Sequence, residues 1–228
     1  MYRSLILIFF ISLLVFTTTI FNTKKISNSN ASDIKKSVFK LLSISEENNL
    51  YTATGFVFKK RNNKSFILTN HHFCEITDGG IFLIQNDEEY KRGDARIAEV
   101  EYSSEEVDLC IASTISMEEP LGILDKDLKF SDKLYTIGAP DGNFPMYFDL
   151  RFSSYIDKEV ISDYFPRLKT KYNSFFVTGF IETGQSGSPV LNEKGEVVGV
   201  IFAKTGNGTG IVIPSKEALD FISGFFSY

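Results

Sequence analysis

The sequence predicts an all-β fold in which twelve short strands form two six-stranded antiparallel β-barrels, followed by a short C-terminal helix. Three observations predict this fold: short apolar, β-branched and aromatic runs, turn-forming residues between them, and a change to helical periodicity near the end. The chain has 228 residues, 43% of them hydrophobic. That length fits one domain of ~200 residues with its own core, preceded by a leader.

The strand-like runs fall into two sets of six, with turn signals between them. Asn62-Asn63 and Asp78-Gly79-Gly80 mark turns in the first set, and residues 192–195 suit a hairpin loop with glycine at the left-handed position. Two sets of six are what a double β-barrel requires. The predicted strands are residues 37–44, 51–60, 65–69, 81–85, 95–102 and 107–112, then 134–138, 148–155, 174–179, 189–191, 197–203 and 210–213.

The last segment has helical periodicity, and Ser215 is its predicted N-cap. The apolar face of this helix is predicted to hold Ala218, Leu219, Ile222 and Phe226. We expect the helix over residues 216–226. The folded domain is predicted to cover residues 34–228, with barrel one at about 36–115 and barrel two at about 130–215.

Charge and composition argue against several classes of function. The formal net charge is −5 and the isoelectric point is about 5.2, so the basic surface of a nucleic-acid-binding protein is not expected. The chain holds two histidines and two cysteines without the spacing of a structural zinc site, and it has no Walker-type phosphate loop. We therefore expect neither a metal nor a cofactor.

The N-terminus has the pattern of an export segment. Arg3 precedes an apolar run over residues 5–21, slightly shorter than the ~20 residues that span a bilayer, and Lys24-Lys25 ends it. Residues suited to cleavage are poorly placed, so residues 1–22 are predicted to be either a signal peptide or a membrane anchor. Residues 23–33 are predicted to be a polar linker. Both alternatives place the rest of the chain outside the cytoplasm: secreted, periplasmic or anchored to a membrane.

Three segments carry residues suited to acyl transfer. Residues 184–190 read GQSGSPV, so Ser186 lies in a glycine-rich turn where backbone N–H groups can converge on an oxyanion. Upstream, TNHH contains His71 and His72, either of which could be a base, and VDLCIA contains Asp108, which could orient it. An α/β-hydrolase esterase needs a histidine after the serine, and this chain has none.

Together, TNHH, VDLCIA and GQSGSPV resemble the catalytic segments of chymotrypsin-fold, trypsin-like serine proteases, in particular the bacterial high-temperature-requirement and glutamyl-endopeptidase branches. The resemblance covers residues 35–225. It implies two chymotrypsin-like barrels and a triad of His72, Asp108 and Ser186, since the fourth residue of TNHH takes the place of the family's histidine. It also implies an oxyanion hole formed by the backbone N–H groups of Gly184 and Ser186.

The resemblance further implies a specificity pocket with apolar walls. Its predicted residues are Phe180, Ile181, Ile201, Phe202 and Ala203. No aspartate occupies the base of the pocket, and Ile201 stands where glutamyl endopeptidases carry a histidine, so selectivity for basic or acidic side chains is not expected. The alternative is that these five residues only fill the core.

The two cysteines lie at matching distances from the predicted triad. Cys74 is two residues after His72, and Cys110 is two residues after Asp108. If the triad forms, the two backbones come near one another, and an exported protein can oxidise such a pair. A Cys74–Cys110 disulfide and two buried free thiols both remain open at this stage.

The sequence therefore predicts an exported or membrane-anchored serine endopeptidase that acts on protein or peptide substrates through a covalent acyl-enzyme. The alternative is a catalytically degenerate protease fold that serves as a peptide-binding module. No nucleic-acid partner is expected, and contact with a membrane is expected only through residues 5–21. The sequence leaves the oligomeric state open.

Overall fold

The computed structural model describes residues 28–45, 48–115, 118–130, 132–205 and 208–227. It confirms the predicted fold class, with two closed antiparallel barrels of six strands each and a C-terminal helix. The predicted signal or anchor at residues 1–22 lies outside the described residues. Of the helices that the structure describes, none combines the length and the apolar run that a bilayer crossing requires.

The first barrel closes in the order β1-β2-β3-β6-β5-β4. Its strands are β1 (Val38–Ile44), β2 (Leu50–Arg61), β3 (Lys64–Thr69), β4 (Ile81–Gln85), β5 (Arg96–Ser104) and β6 (Leu109–Ile115). The antiparallel register pairs Thr69 at the end of β3 with Cys110 near the start of β6. This register brings the TNHH segment beside Asp108, which directly precedes β6.

The second barrel closes in the order β10-β11-β12-β9-β8-β7. Its strands are β7 (Lys133–Gly138), β8 (Met146–Ile156), β9 (Ser174–Gly179), β10 (Pro189–Asn192), β11 (Val197–Lys204) and β12 (Thr209–Pro214). Antiparallel pairing of β10 with β7 closes the barrel. The turn that carries Ser186 lies between β9 and β10 and therefore belongs to the second barrel.

The observed strands lie close to the predicted ones, with one informative difference. The last strand of the first barrel was predicted at residues 107–112, but β6 begins at Leu109 and continues to Ile115. Asp108 has a φ of +50°, in the left-handed region, so it cannot continue an extended strand. The apolar run alone did not reveal this turn.

The helix α1 (Asn28–Lys36) begins within the predicted linker at residues 23–33 and leads into β1. One prediction about the helices needs correction. Ser215 is not the N-cap of the C-terminal helix: it is the first helical residue, after Pro214. Its hydroxyl donates to the Leu124 carbonyl at 2.8 Å, and this contact ties the helix to the segment that joins the barrels.

In the described part of the chain, four further α-helices connect or follow the strands: α2 (His71–Cys74), α3 (Asp87–Arg92), α4 (Lys158–Tyr164) and α5 (Ser215–Phe226). α5 follows the second barrel, but its aromatic residues pack against the first. Phe225 and Phe226 meet the Phe66 ring edge-on, with centroids 5.9 and 5.2 Å away. Phe221 stacks on Tyr102 at 5.0 Å.

The buried face of α5 therefore differs in part from the predicted one. Ala218, Ile222 and Phe226 contribute as expected, whereas Phe221 and Phe225 take the place given to Leu219. The core that receives these residues also contains side chains from both barrels, among them Phe56 and Val200. This shared core holds the two barrels together, because separating them would expose a large apolar surface.

We expect Phe66→Ala to lower the free energy of unfolding by about 3–5 kcal/mol, since it leaves a cavity under the two aromatic residues of α5. Denaturant titration measures the change. Phe130→Ala is the control, because the Phe130 side chain is 80% exposed and its loss should change little. A loss below about 1 kcal/mol for Phe66→Ala would contradict the role given to this contact.

Candidate active site

Asp108 is the structural centre of the first half of the site. Its side chain is buried, and its Oδ1 accepts the backbone N–H of His72 at 2.9 Å. Its backbone carbonyl accepts a hydrogen bond from Asn70 Nδ2 at 2.9 Å. A buried carboxylate is costly unless it is paired and hydrogen-bonded. The His72 N–H supplies one hydrogen bond to the carboxylate, and the two contacts together hold the TNHH segment against the start of β6.

His72 lies in the short helix α2, directly beside Asp108. Its Nδ1 is 2.8 Å from Asp108 Oδ2 and 3.1 Å from Oδ1. A proton on Nδ1 would be donated to the carboxylate, which leaves the Nε2 lone pair free to accept another proton. The His72 side chain is 46% exposed, so a substrate can reach the ring. This is the geometry that a general base requires.

The neighbouring His71 has a different environment. Its Nδ1 lies 2.5 Å from Ser103 Oγ, and its Nε2 lies 3.9 Å from a carboxylate oxygen of Glu75. Neither of these two contacts of His71 involves Asp108. The two adjacent histidines are therefore distinguished by their partners, and only His72 has the carboxylate contact expected of a triad.

A disulfide joins Cys74 and Cys110, with an S–S distance of 2.16 Å. Of the two alternatives left open by the sequence, the structure thus contains the bonded pair, and neither cysteine is a free thiol. The bond links α2 to β6, two residues after His72 and two residues after Asp108. The disulfide therefore cross-links the two segments that carry the His72 and Asp108 side chains.

Two glycines allow the turn that carries Ser186. Gly184 and Gly187 have φ values of +89° and +83°, a region that L-residues rarely adopt. A Cβ atom at position 184 would clash with the Ala139 carbonyl, and one at position 187 would clash with the Thr54 carbonyl. Both positions therefore require glycine, for conformation and for space.

Thr54, on β2 of the first barrel, holds this turn in place. Its backbone N–H donates to the Ser186 carbonyl at 2.8 Å, and its hydroxyl donates to the Gly184 carbonyl at 2.8 Å. The same hydroxyl accepts the Ala139 N–H at 3.0 Å. The Thr54 carbonyl accepts the Thr69 hydroxyl at 2.7 Å. Sequence reasoning missed Thr54, because no motif marks a buried threonine inside a strand.

Gln185 stabilises the turn from within its own segment. Its side chain is buried, its Oε1 accepts the Glu182 N–H at 2.8 Å, and its own N–H donates to the Glu182 carbonyl at 3.2 Å. Among the backbone hydrogen bonds of the described residues, none is donated by the N–H groups of Gly184 or Ser186.

Ser186 and His72 line one cavity of about 340 Å³, although no hydrogen bond joins them among the described residues. Catalytic hydrogen bonds are often long in ligand-free enzymes and shorten when substrate binds. The walls include Ile181, Ile201 and Ala203, three of the five residues predicted for the specificity pocket. Within the described ranges, no three potential metal ligands are grouped together.

The other two predicted pocket residues lie elsewhere. Phe180 is 51% exposed and stacks on Phe148, with ring centroids 4.9 Å apart. Phe202 contacts the Phe165 ring, with centroids 5.3 Å apart, and lines a second cavity of about 510 Å³ that His72 and Asp108 also line. Ala203 lines both cavities, and the pairing of β11 with β12 shifts register between Ile201 and Ala203.

The first cavity also holds two charged residues that the pocket prediction did not include. Glu182 and Lys204 line it, and their side chains form an ion pair. The hydrogen bond from Lys204 lowers the pKa of Glu182 from its ordinary value. Each residue directly follows a predicted pocket residue in sequence, but nothing in the sequence indicated that the two would meet.

We expect Thr54→Val to lower the free energy of unfolding by about 2–4 kcal/mol, because it leaves the Gly184 carbonyl and the Ala139 N–H without that hydroxyl. Thr114→Val is the matched control, since its hydroxyl donates to Ile97 in the first barrel at 2.7 Å. Amide hydrogen exchange at Ala139 should become faster only in Thr54→Val. Equal exchange in both variants would contradict the bridging role of Thr54.

Three of the solved structures similar to this chain are proteases. The active form of the Rv3671c protease from M. tuberculosis has a TM-score of 0.70 and 19% identity, over 89% of this chain and 86% of that chain. The HtrA-type protease AlgW, solved with a decapeptide, has a TM-score of 0.71 and 16% identity, over 87% of this chain and 66% of that chain. A serine endoprotease from Yersinia pestis has a TM-score of 0.66 and 18% identity, over 87% and 65%.

At these identities the similarity establishes the fold. The family is established by the sequence itself, because a profile of the trypsin-like peptidase domain matches residues 53–200, which is more than half of the chain. The matched range begins on β2, just before Thr54, and ends on β11 beyond Ser186. The chain therefore belongs to the trypsin-like peptidase domain family and is a serine peptidase.

Proposed function

We propose that this peptidase cleaves peptide bonds inside protein or peptide chains, with Ser186 as nucleophile, His72 as general base and Asp108 as the group that orients His72. One observation carries the proposal: His72 Nδ1 is bonded to a buried carboxylate while His72 and Ser186 line the same cavity. A serine hydroxyl is inert at neutral pH unless a base takes its proton as it attacks.

The reaction follows from this arrangement. Ser186 Oγ attacks the carbonyl carbon of the scissile bond, and its proton passes to His72 Nε2. The C–N bond then breaks as His72 returns the proton to the leaving amine, which leaves an acyl group on Ser186. A water molecule gives a proton to His72 and attacks the acyl carbon. The attack of water forms a tetrahedral intermediate, and its breakdown releases the carboxylic acid product while the proton on His72 returns to Ser186 Oγ.

The N–H groups of Gly184 and Ser186 would stabilise the oxyanion that forms in each half of the reaction. Loss of one such donor typically costs about 2.7–4 kcal/mol in the transition state. Asp108 would stabilise the protonated imidazole and keep its ring in position. The disulfide next to both residues limits their relative movement.

A peptide substrate is supported by the relatives as well as by the chemistry. AlgW has been solved with a tripeptide and with a decapeptide. The apolar walls of the cavity beside Ser186 suit an uncharged substrate side chain, because a charged one would lose its hydration there without gaining a counter-ion. We therefore propose a preference for small or medium aliphatic side chains next to the scissile carbonyl.

We also propose that the enzyme acts outside the cytoplasm. The basic and apolar pattern of residues 1–22 supports either a signal peptide or an anchor. The Cys74–Cys110 disulfide is consistent with an oxidising compartment, where such bonds form and persist.

Ser186→Ala and His72→Ala should each lower the rate of peptide hydrolysis by at least ~10⁴-fold while the fold survives, because each removes one member of a unit that acts together. His71→Ala should retain substantial activity, since His71 contacts Ser103 and Glu75 instead. Hydrolysis of a fluorogenic peptide and labelling by a fluorophosphonate probe measure these effects.

An inactive His71→Ala with an active His72→Ala would show that the base is assigned to the wrong histidine. Absence of Ser186-dependent labelling in the folded wild-type protein would instead favour the peptide-binding module.

The preference for aliphatic side chains should be graded, because each buried methylene contributes about 0.8 kcal/mol. Peptides that differ only at the residue before the scissile bond should give higher kcat/KM for Val, Ala and Leu than for Glu, Asp, Lys and Arg. Measurement of kcat/KM across this series checks the proposal. A clear preference for Glu or Arg in the wild-type enzyme would overturn it.

A further inference from the structure

The cavity beside Ser186 has apolar walls and one ion pair. Apart from the titratable His72, Glu182 and Lys204 are the charged residues among those that line it in the described structure. Glu182 Oε2 and Lys204 Nζ are in direct contact. Their side chains are 37% and 41% exposed, so the pair is accessible to a substrate that enters the cavity.

Each partner is attached to a different wall of the cavity. Glu182 precedes Gly184 by two residues. Its backbone N–H donates to Gln185 Oε1, and its carbonyl accepts the Gln185 N–H. Lys204 is the last residue of β11, directly after Ala203, and it is paired in register with Gly210 of β12. The backbone on both sides is therefore fixed, and the two side chains meet across the cavity.

The pairing of Glu182 with Lys204 determines whether either charge is free to bind a charged side chain of the substrate. A free carboxylate at this place would attract a basic side chain, and a free ammonium group would attract an acidic one. In the observed arrangement each charge is the counter-ion of the other. A glutamate is already ionised at neutral pH, and the hydrogen bond from Lys204 lowers the pKa of Glu182 further, so both partners are charged there.

We infer that the Glu182–Lys204 ion pair determines specificity and keeps the cavity selective for uncharged side chains. Each partner already neutralises the charge of the other, so neither is free to bind a charged substrate side chain. The inference rests on the proposed function and identifies two residues that set its substrate class. Removal of either partner converts the other into a counter-ion for substrate. Lys204→Met should admit Lys and Arg side chains through Glu182, and Glu182→Gln should admit Glu and Asp side chains through Lys204.

The test compares kcat/KM for peptides that carry Val, Lys or Glu before the scissile bond. Lys204→Met should raise the ratio of kcat/KM for the Lys peptide to that for the Val peptide about fivefold. Glu182→Gln should raise the corresponding Glu-to-Val ratio by a similar factor. About fivefold corresponds to the upper end of the interaction energies of exposed ion pairs. Lys64→Met and Glu101→Gln are matched controls. They remove the same charges from an ion pair of 3.0 Å on the first barrel, at the end of β3 opposite to the TNHH segment. Neither control should change the ratios.

Fluorophosphonate labelling of each variant separates the outcomes. Opposite shifts in the two cavity variants, with labelling retained, support the inference. Unchanged ratios in labelled variants overturn it and leave the proposed peptidase function intact. A folded wild-type protein that is neither labelled nor active would overturn both. The two single variants alter different walls of the cavity, so a folding defect in one leaves the other as an independent test.

Discussion

The contact between Thr54 and the Ser186 turn is the interaction on which the site depends. Each barrel supplies one half of the site, His72 and Asp108 from the first and Gly184 and Ser186 from the second, so the halves are useful only in one relative position. Thr54 is fully buried and bonds to both Gly184 and Ser186 from across the interface. Buried polar groups lose their hydration, so these hydrogen bonds tolerate little displacement. The apolar core shared with α5 adds affinity between the barrels but less directional precision.

Within the first barrel, the need to satisfy a buried carboxylate organises the backbone around it. Asp108 takes a left-handed conformation just before β6, and this turn directs its side chain to the N–H and ring of His72. The Cys74–Cys110 bond closes the same region on the other side of both residues. A histidine that is about half exposed is thus oriented by a buried acid and a covalent link.

The substrate cavity reflects a different balance of forces. Ile181, Ile201 and Ala203 provide apolar surface. The free energy gained by burying a substrate side chain against such a surface is proportional to the buried area, so aliphatic side chains of similar size are only weakly discriminated. Charges are better discriminators, because their loss of water must be offset by a counter-ion. The contact of Glu182 with Lys204 places both signs next to the apolar walls and leaves neither unpaired. The cavity therefore combines apolar walls with one pair of opposite charges.

Features that depend on local pattern were predictable from the sequence. Apolar runs predicted twelve strands close to their observed bounds, and the resemblance carried by three short motifs implied His72, Asp108 and Ser186 as a triad. Contacts between side chains of different elements were not predictable, because they depend on the tertiary structure. Phe180 stacks on Phe148, and the Ser215 hydroxyl donates a hydrogen bond to the Leu124 carbonyl instead of capping the helix. Thr54 binds the Ser186 turn of the other barrel, and Glu182 pairs with Lys204. Periodicity reports which face of a strand is buried, whereas barrel closure, twist and register determine what lies opposite that face.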